Sequence, residues 1–185
     1  MVVADTPDAK EERIKALEVR IQAVEDDYIT WWGLPTDKDS RLSFVRDTLQ
    51  QAELHIEPMD LVALDDYSSD MASALATVNG NLPALEKFHS SVKGLVAQLV
   101  TLRGYSGFPY KDIVEGDERV AGHWESYRLA ERLSATITHQ LKNIDSRNFR
   151  IGQEIKAGTW TNNPRLKEKP KAVTPEPAGT HTDYP

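Results

Sequence analysis

Apolar side chains recur along this chain at intervals of three and four residues. Ile14, Leu17, Ile21, Val24, Tyr28 and Trp31 form the first run, and Leu42, Val45, Leu49, Ala52 and Ile56 the second. A third passes through Leu61, Leu64, Ser68, Met71, Leu75 and Val78, and a fourth through Leu85, Phe88, Val92, Leu95, Leu99 and Leu102. The fifth is less regular: Trp124, Tyr127, Ala130, Ile137, Leu141 and Ile144, with Ser134 in its gap and a continuation through Ile151 and Ile155. This spacing is the a/d seam of packed helices. No stretch sustains the period-two alternation of a strand, so the pattern predicts an all-α protein of about five helices.

Residues that start and stop helices fall between the seams. Pro7 and Asp8 can open the first helix, and Gly33 followed by Leu34-Pro35 closes it. Thr36, Asp37, Asp39 and Ser40 are all competent N-caps for the second. "HIEPMD" separates the second helix from the third at Pro58, and "VNGNLPA" reads as a break between the third and fourth, with Pro83 in a first helical turn. "RGYSGFPYKD" is a longer break, and the fifth helix starts near Asp117. Short links between long helices favour antiparallel neighbours. The expected architecture is an up-and-down bundle or set of helical hairpins over residues 1–157, followed by a proline-rich extended tail over 158–185.

Two adjacent tryptophans end the first helix. Trp31 falls on the seam and is expected to plug one tip of the bundle. Trp32, about 100° further round the helix, is left for the returning turn, a third helix or another molecule. Tyr105, Phe108 and Tyr110 lie in the long break, at the pole opposite the tryptophans in an up-and-down bundle. In the tail, Trp160 and Tyr184 are the two large anchors. Aromatic residues are enriched at interface hot spots, which makes Trp31, Trp32, Tyr105, Phe108, Tyr110, Trp160 and Tyr184 the candidate partner contacts.

Composition narrows the options. The 185 residues include no cysteine, which removes disulfides, thiolate metal sites and thiol nucleophiles and fits a reducing compartment. The first residues lack a basic stretch followed by a long apolar run, so no secretory signal is expected. "GLVAQLVTL" is far shorter than the roughly 20 residues of a membrane span. The expectation is a soluble protein, cytoplasmic or within an intracellularly assembled particle. The net charge of −7 is uneven: residues 1–80 hold 7 Lys/Arg against 17 Asp/Glu, whereas residues 140–172 hold 8 against 3. An acidic front disfavours nucleic acid, whose binding depends on neutralising phosphates. Opposite charges on two parts of one chain can instead pair within it or between subunits.

Catalytic patterns are sparse. Glu86 and His89 have the Glu-x-x-His spacing of carboxylate-bridged di-metal bundles, but the second copy and the two further glutamates are missing. Asp37 and Asp39 begin a calcium-loop spacing that fails at Leu42, where glycine is required, and at Thr48, where a bidentate glutamate is required. Ser90 and Lys93 lack the companion motifs of a Ser-x-x-Lys hydrolase. His123 and His139 read as surface or boundary histidines, about 24 Å apart along an ideal helix. The sequence therefore predicts no catalytic residue, metal ligand or cofactor. It points to a non-catalytic structural or adaptor subunit whose partners are protein subunits of the same or another chain, a virion or similar particle being one setting. The alternatives are a small metal-binding bundle enzyme centred on Glu86 and His89, or a transient helical regulator.

Overall fold

The computed structural model of the chain describes residues 7–34, 36–53, 56 and 59–159, with Phe108 described in its backbone only. Among them stand five helices: α1 (Pro7–Trp32), α2 (Arg41–Ala52), α3 (Leu61–Leu102), α4 (Phe108–Glu115) and α5 (Glu118–Lys156). The described residues contain no strand. The expected break at Pro58 and the tail from Trp160 onward lie outside the described residues.

Side-chain caps fix three of the helix starts. The Ser40 hydroxyl accepts the Ser43 N–H at 3.1 Å and donates to the Asp37 carbonyl at 2.7 Å. The Asp60 carboxylate accepts the Ala63 N–H at 2.9 Å, and Asp117 the Arg119 N–H at 3.1 Å. Each supplies an acceptor to an N–H that has no partner within its helix.

The break expected at "VNGNLPA" does not occur. α3 runs unbroken for 42 residues, through Gly80 and Pro83. The reason is phase: Val78 and Leu85 are seven residues apart, both are buried, and Leu82 packs against the same core. Pro83 removes one N–H and crowds the preceding turn, at about 3 kcal/mol. Ending the helix there would unseat seam residues on both sides, each contributing roughly 1.5–3 kcal/mol through burial. Packing outweighs the local signal. The count of five helices survives only because α4 occupies the stretch read as a long break.

The architecture is a three-helix bundle in which one position is filled by two helices in succession. α1 runs antiparallel to α3: Glu18 pairs with Arg103 at 2.8 Å, while Trp31, thirteen residues later, meets Phe88. α5 is also antiparallel to α3, since Ser134 donates to Asn79 at 2.8 Å and Ile151 packs with Leu64. α2 does not double back on α1. Its start lies beside Leu129 of α5, and its end reaches Tyr67 of α3, whose hydroxyl donates to the Gln51 carbonyl at 2.8 Å. α4 caps the α3–α5 turn, burying Val114 with Val92, Val96 and Val120.

The seam of α5 holds at Ala130, Ile137, Ile144 and Ile151 and departs by one residue at two places, where His123 replaces Trp124 and Leu133 replaces Ser134. Val120, His123, Ala130, Leu133, Ile137, Ile144 and Ile151 are buried, whereas Trp124 faces outward. Leu133, not Ser134, fills the gap, which leaves the Ser134 hydroxyl free to bond Asn79. Leu133→Ala should therefore destabilise by about 2–5 kcal/mol in urea unfolding, as should Leu95→Ala and Leu99→Ala. Ser134→Ala should cost about 1 kcal/mol or less. The opposite ranking of Leu133 and Ser134 would restore the original seam.

Candidate functional site

The two tryptophans sit at the joint between α1 and α2, half-way along the bundle and not at its tip. Trp32 is only 1% exposed and belongs to the central core with Leu42, Val45, Leu85 and Leu133. Trp31 is half-buried, its ring 5.7 Å from that of Trp32 and 5.6 Å from Phe88. Trp32, left by the seam for the returning turn or a third helix, is thus the more deeply buried of the two, while Trp31 packs on the edge of the same core. Ile21 is fully buried, and eleven residues on from it, close to three turns, stands Trp32; Trp31 falls about 80° away. The Arg41 guanidinium lies 4.7 Å over the Trp31 ring and donates to the Trp31 carbonyl, closing the joint from outside.

Two polar bridges link α1 to α5 beside this joint. His123, 2% exposed, places Nε2 at 2.7 Å from Glu25 Oε1. The Tyr28 hydroxyl donates to Ser126 Oγ at 2.6 Å, and the Tyr28 and His123 rings lie 4.0 Å apart. Burial raises the Tyr28 pKa above its ordinary value, partly offset by the Ser126 hydrogen bond and reinforced by the Glu25 charge. These bridges cross a groove of about 590 Å³ whose walls combine Ile29, Leu34 and Leu129 with Arg46, Glu118 and Arg119. The sequence reading of His123 as a surface or boundary group is corrected here: at its position in α5 the seam points into the bundle, and Glu25 supplies the partner that a buried imidazole requires.

The outer face of α5 carries the other aromatic cluster. Trp124 is 44% exposed, with its ring 5.2 Å from His89 and 5.5 Å from Tyr127, the latter pair nearly parallel at 14°. Arg128 lies 5.7 Å over the same indole. Lys93 and Glu115 form an ion pair at 3.2 Å beside a cleft of about 430 Å³ that His89 and Trp124 also line. His89 is therefore packed against an indole, with the two ring planes tilted by 39°. Its pKa is lowered, first by burial, then by the Lys93 charge, with a smaller contribution from His123 and an opposing backbone hydrogen bond at Val120. Because the unfolded chain binds this proton more tightly, acidification from about pH 6.5 downward costs stability. The urea midpoint should fall between pH 7.5 and 5.5, and fall less in His89→Gln; equal losses in both proteins would mean that His89 is not the group responsible.

The sequence candidates do not converge on one place. Tyr105 is exposed after α3, and Tyr110 is half-buried, its hydroxyl donating to the Ala97 carbonyl at 3.4 Å beside a cleft of about 550 Å³ between α1 and α3. Phe108 opens α4, and its side chain lies outside the described set, as do Trp160 and Tyr184. Glu86 is exposed on α3, and among the described residues no three His, Asp or Glu side chains come together as metal ligands. Trp124, Tyr127 and Arg128 were not among the interface candidates because the sequence placed Trp124 and Tyr127 on the seam. The presence of Leu133 beside Ser134, an aliphatic side chain one position off a polar seam residue, was the available signal. No described helix is long and apolar enough to cross a membrane. Comparisons with protein-family models, curated proteins and solved structures return no match.

Proposed function

We propose that this chain is a non-catalytic structural or adaptor subunit of a larger multi-chain assembly, engaged through its helix faces. The observation that carries this reading is the Trp124 cluster. An indole with almost half its surface in water is held in one orientation by His89 and Tyr127 and overlaid by Arg128. Tryptophan, tyrosine and arginine are the residues that dominate interface hot spots. An indole already ordered by its neighbours loses little conformational entropy on docking. The partner is a second copy of this chain in the first instance, because most soluble oligomers are built from identical subunits. By composition, the proline-rich residues 172–185, with Tyr184, form a second contact.

Trp124→Ala tests this directly. Removing a half-exposed side chain should lower stability by about 1 kcal/mol or less, while self-association in light scattering weakens by about tenfold or more. An unchanged association constant would remove the α5 face from the interface.

A further inference from the structure

At the end of the bundle where α3 begins and α5 stops, the core seam runs out into exposed apolar residues. Leu64 and Ile151 are fully buried there, with Ile144 and Ile56 beside them. Three residues before Leu64, Leu61 is 42% exposed; four residues after Ile151, Ile155 is 39% exposed. Val62, on the outer side of α3, is 71% exposed. α2 has already ended at Ala52, so among the described residues only Ile56 and Met59 of the link join the two long helices in this cluster.

The outer side of α3 at this end is also acidic. Asp65 and Asp66 follow Val62 by three and four residues, and Asp70 follows Asp66 by four, which places them on one exposed face. None of the three is in an ion pair with a described residue.

The chain leaves α5 at this same end, and it leaves turning. Gly158 adopts φ +72°, its N–H donates to the Ile155 carbonyl at 3.1 Å, and the Thr159 N–H donates to the Glu154 carbonyl at 2.9 Å. This pair of bonds is a Schellman close, which takes the chain back across the helix end and away from the axis. The next residue is Trp160, and then come Arg165, Lys167, Lys169 and Lys171 with Glu168 the one acid among residues 160–171. Twelve residues separate Thr159 from Lys171, a reach of up to about 40 Å, against a helix diameter of about 10–12 Å.

We propose that this end of the bundle is the docking surface for residues 160–171 of the same chain, with Trp160 over Leu61 and Ile155 and the basic run along Asp65, Asp66 and Asp70. Tethering gives a short segment an effective concentration on the order of millimolar, so the chain's own tail fills the surface ahead of a second copy at ordinary dilution. The inference stands independently of the assembly reading; it leaves residues 172–185, with Tyr184, as the part that extends to a neighbour.

Hydrogen exchange of the full chain tests it. Trp160→Ala, and separately Lys167→Glu with Lys169→Glu and Lys171→Glu, should each speed exchange of the amides in the first turns of α3 by about tenfold, with circular dichroism unchanged. Adding Asp65→Lys, Asp66→Lys and Asp70→Lys to the charge-reversed tail should restore the protection, measured against the α3 triple variant alone. The wild-type protection should be the same at every protein concentration. Equal exchange in wild type and both tail variants would overturn the proposal. So would protection that disappears on dilution, which would make the occupant the tail of a second copy.

Discussion

Trp32→Ala should destabilise the protein by about 3–5 kcal/mol, the range for truncating a large aromatic inside a packed core. The indole is enclosed by the central cluster at the point where the third position of the bundle passes from α1 to α2. Its loss removes apolar contacts and leaves a void that the joint cannot close without moving Gly33 or Leu42. Its indole N–H has no hydrogen-bond partner among the described residues, so the expected loss is chiefly one of packing. Trp31→Ala should cost clearly less, because that ring is half-buried against Phe88 and Arg41. Urea unfolding with an unchanged slope checks both. A larger loss at Trp31 would return it to the core and displace Trp32.

Gly33→Ala should cost about 2–5 kcal/mol, from two separable causes. Its φ of +94° lies in the left-handed region, which costs an L side chain about 1–2 kcal/mol. In addition, a Cβ built there would stand 2.1 Å from the Ser40 Cβ, and relieving such a clash in a packed joint costs typically 1–3 kcal/mol. Ser40 cannot simply retreat, because its hydroxyl caps α2 and bonds the Asp37 carbonyl. The double variant Gly33→Ala with Ser40→Gly should recover the steric part and retain the backbone part. Ser40→Gly alone, which gives up the α2 cap at about a few tenths of a kcal/mol, is the reference; no recovery once that cost is allowed for would mean that the close approach to Ser40 is absent.

Helix class, the starts of α1, α2 and α5 and most of the core were legible from spacing and capping residues. Leu17, Ile21, Val45, Leu64, Met71, Leu99 and Ile144 are buried where the three-and-four rhythm placed them. Ser40 and Asp117 cap helices because their side chains can reach a free N–H whatever the tertiary fold. What local reading missed depends on competition between local and distant forces. Pro83 is a helix breaker in isolation, yet the seam through Val78 and Leu85 stays in phase across it, and packing against α5 decides. The choice between Trp31 and Trp32 is another case: Trp32 stands about 20° from the line of the buried Ile21 and Trp31 about 80° away, a difference that three-and-four spacing alone does not register. The one-residue departure at His123 in α5 hid both the buried His123–Glu25 pair and the outward Trp124. A one-residue uncertainty that barely alters the fold thus moves the candidate interface entirely. The direction of α2 was illegible for a different reason. A short link permits a hairpin, but the close contact of Gly33 with Ser40 and the burial of Trp32 beneath it carry the chain onward.

A helical body that serves as a subunit in a protein assembly should associate in solution. Size-exclusion chromatography with light scattering on the full chain, with elemental analysis of the same peak, tests it most directly. The expected result is a discrete metal-free oligomer whose mass falls toward that of one chain in Trp124→Ala. A monomer that carries a stoichiometric transition metal, lost in His89→Ala, would contradict it and return Glu86 and His89 to the centre of the protein's chemistry.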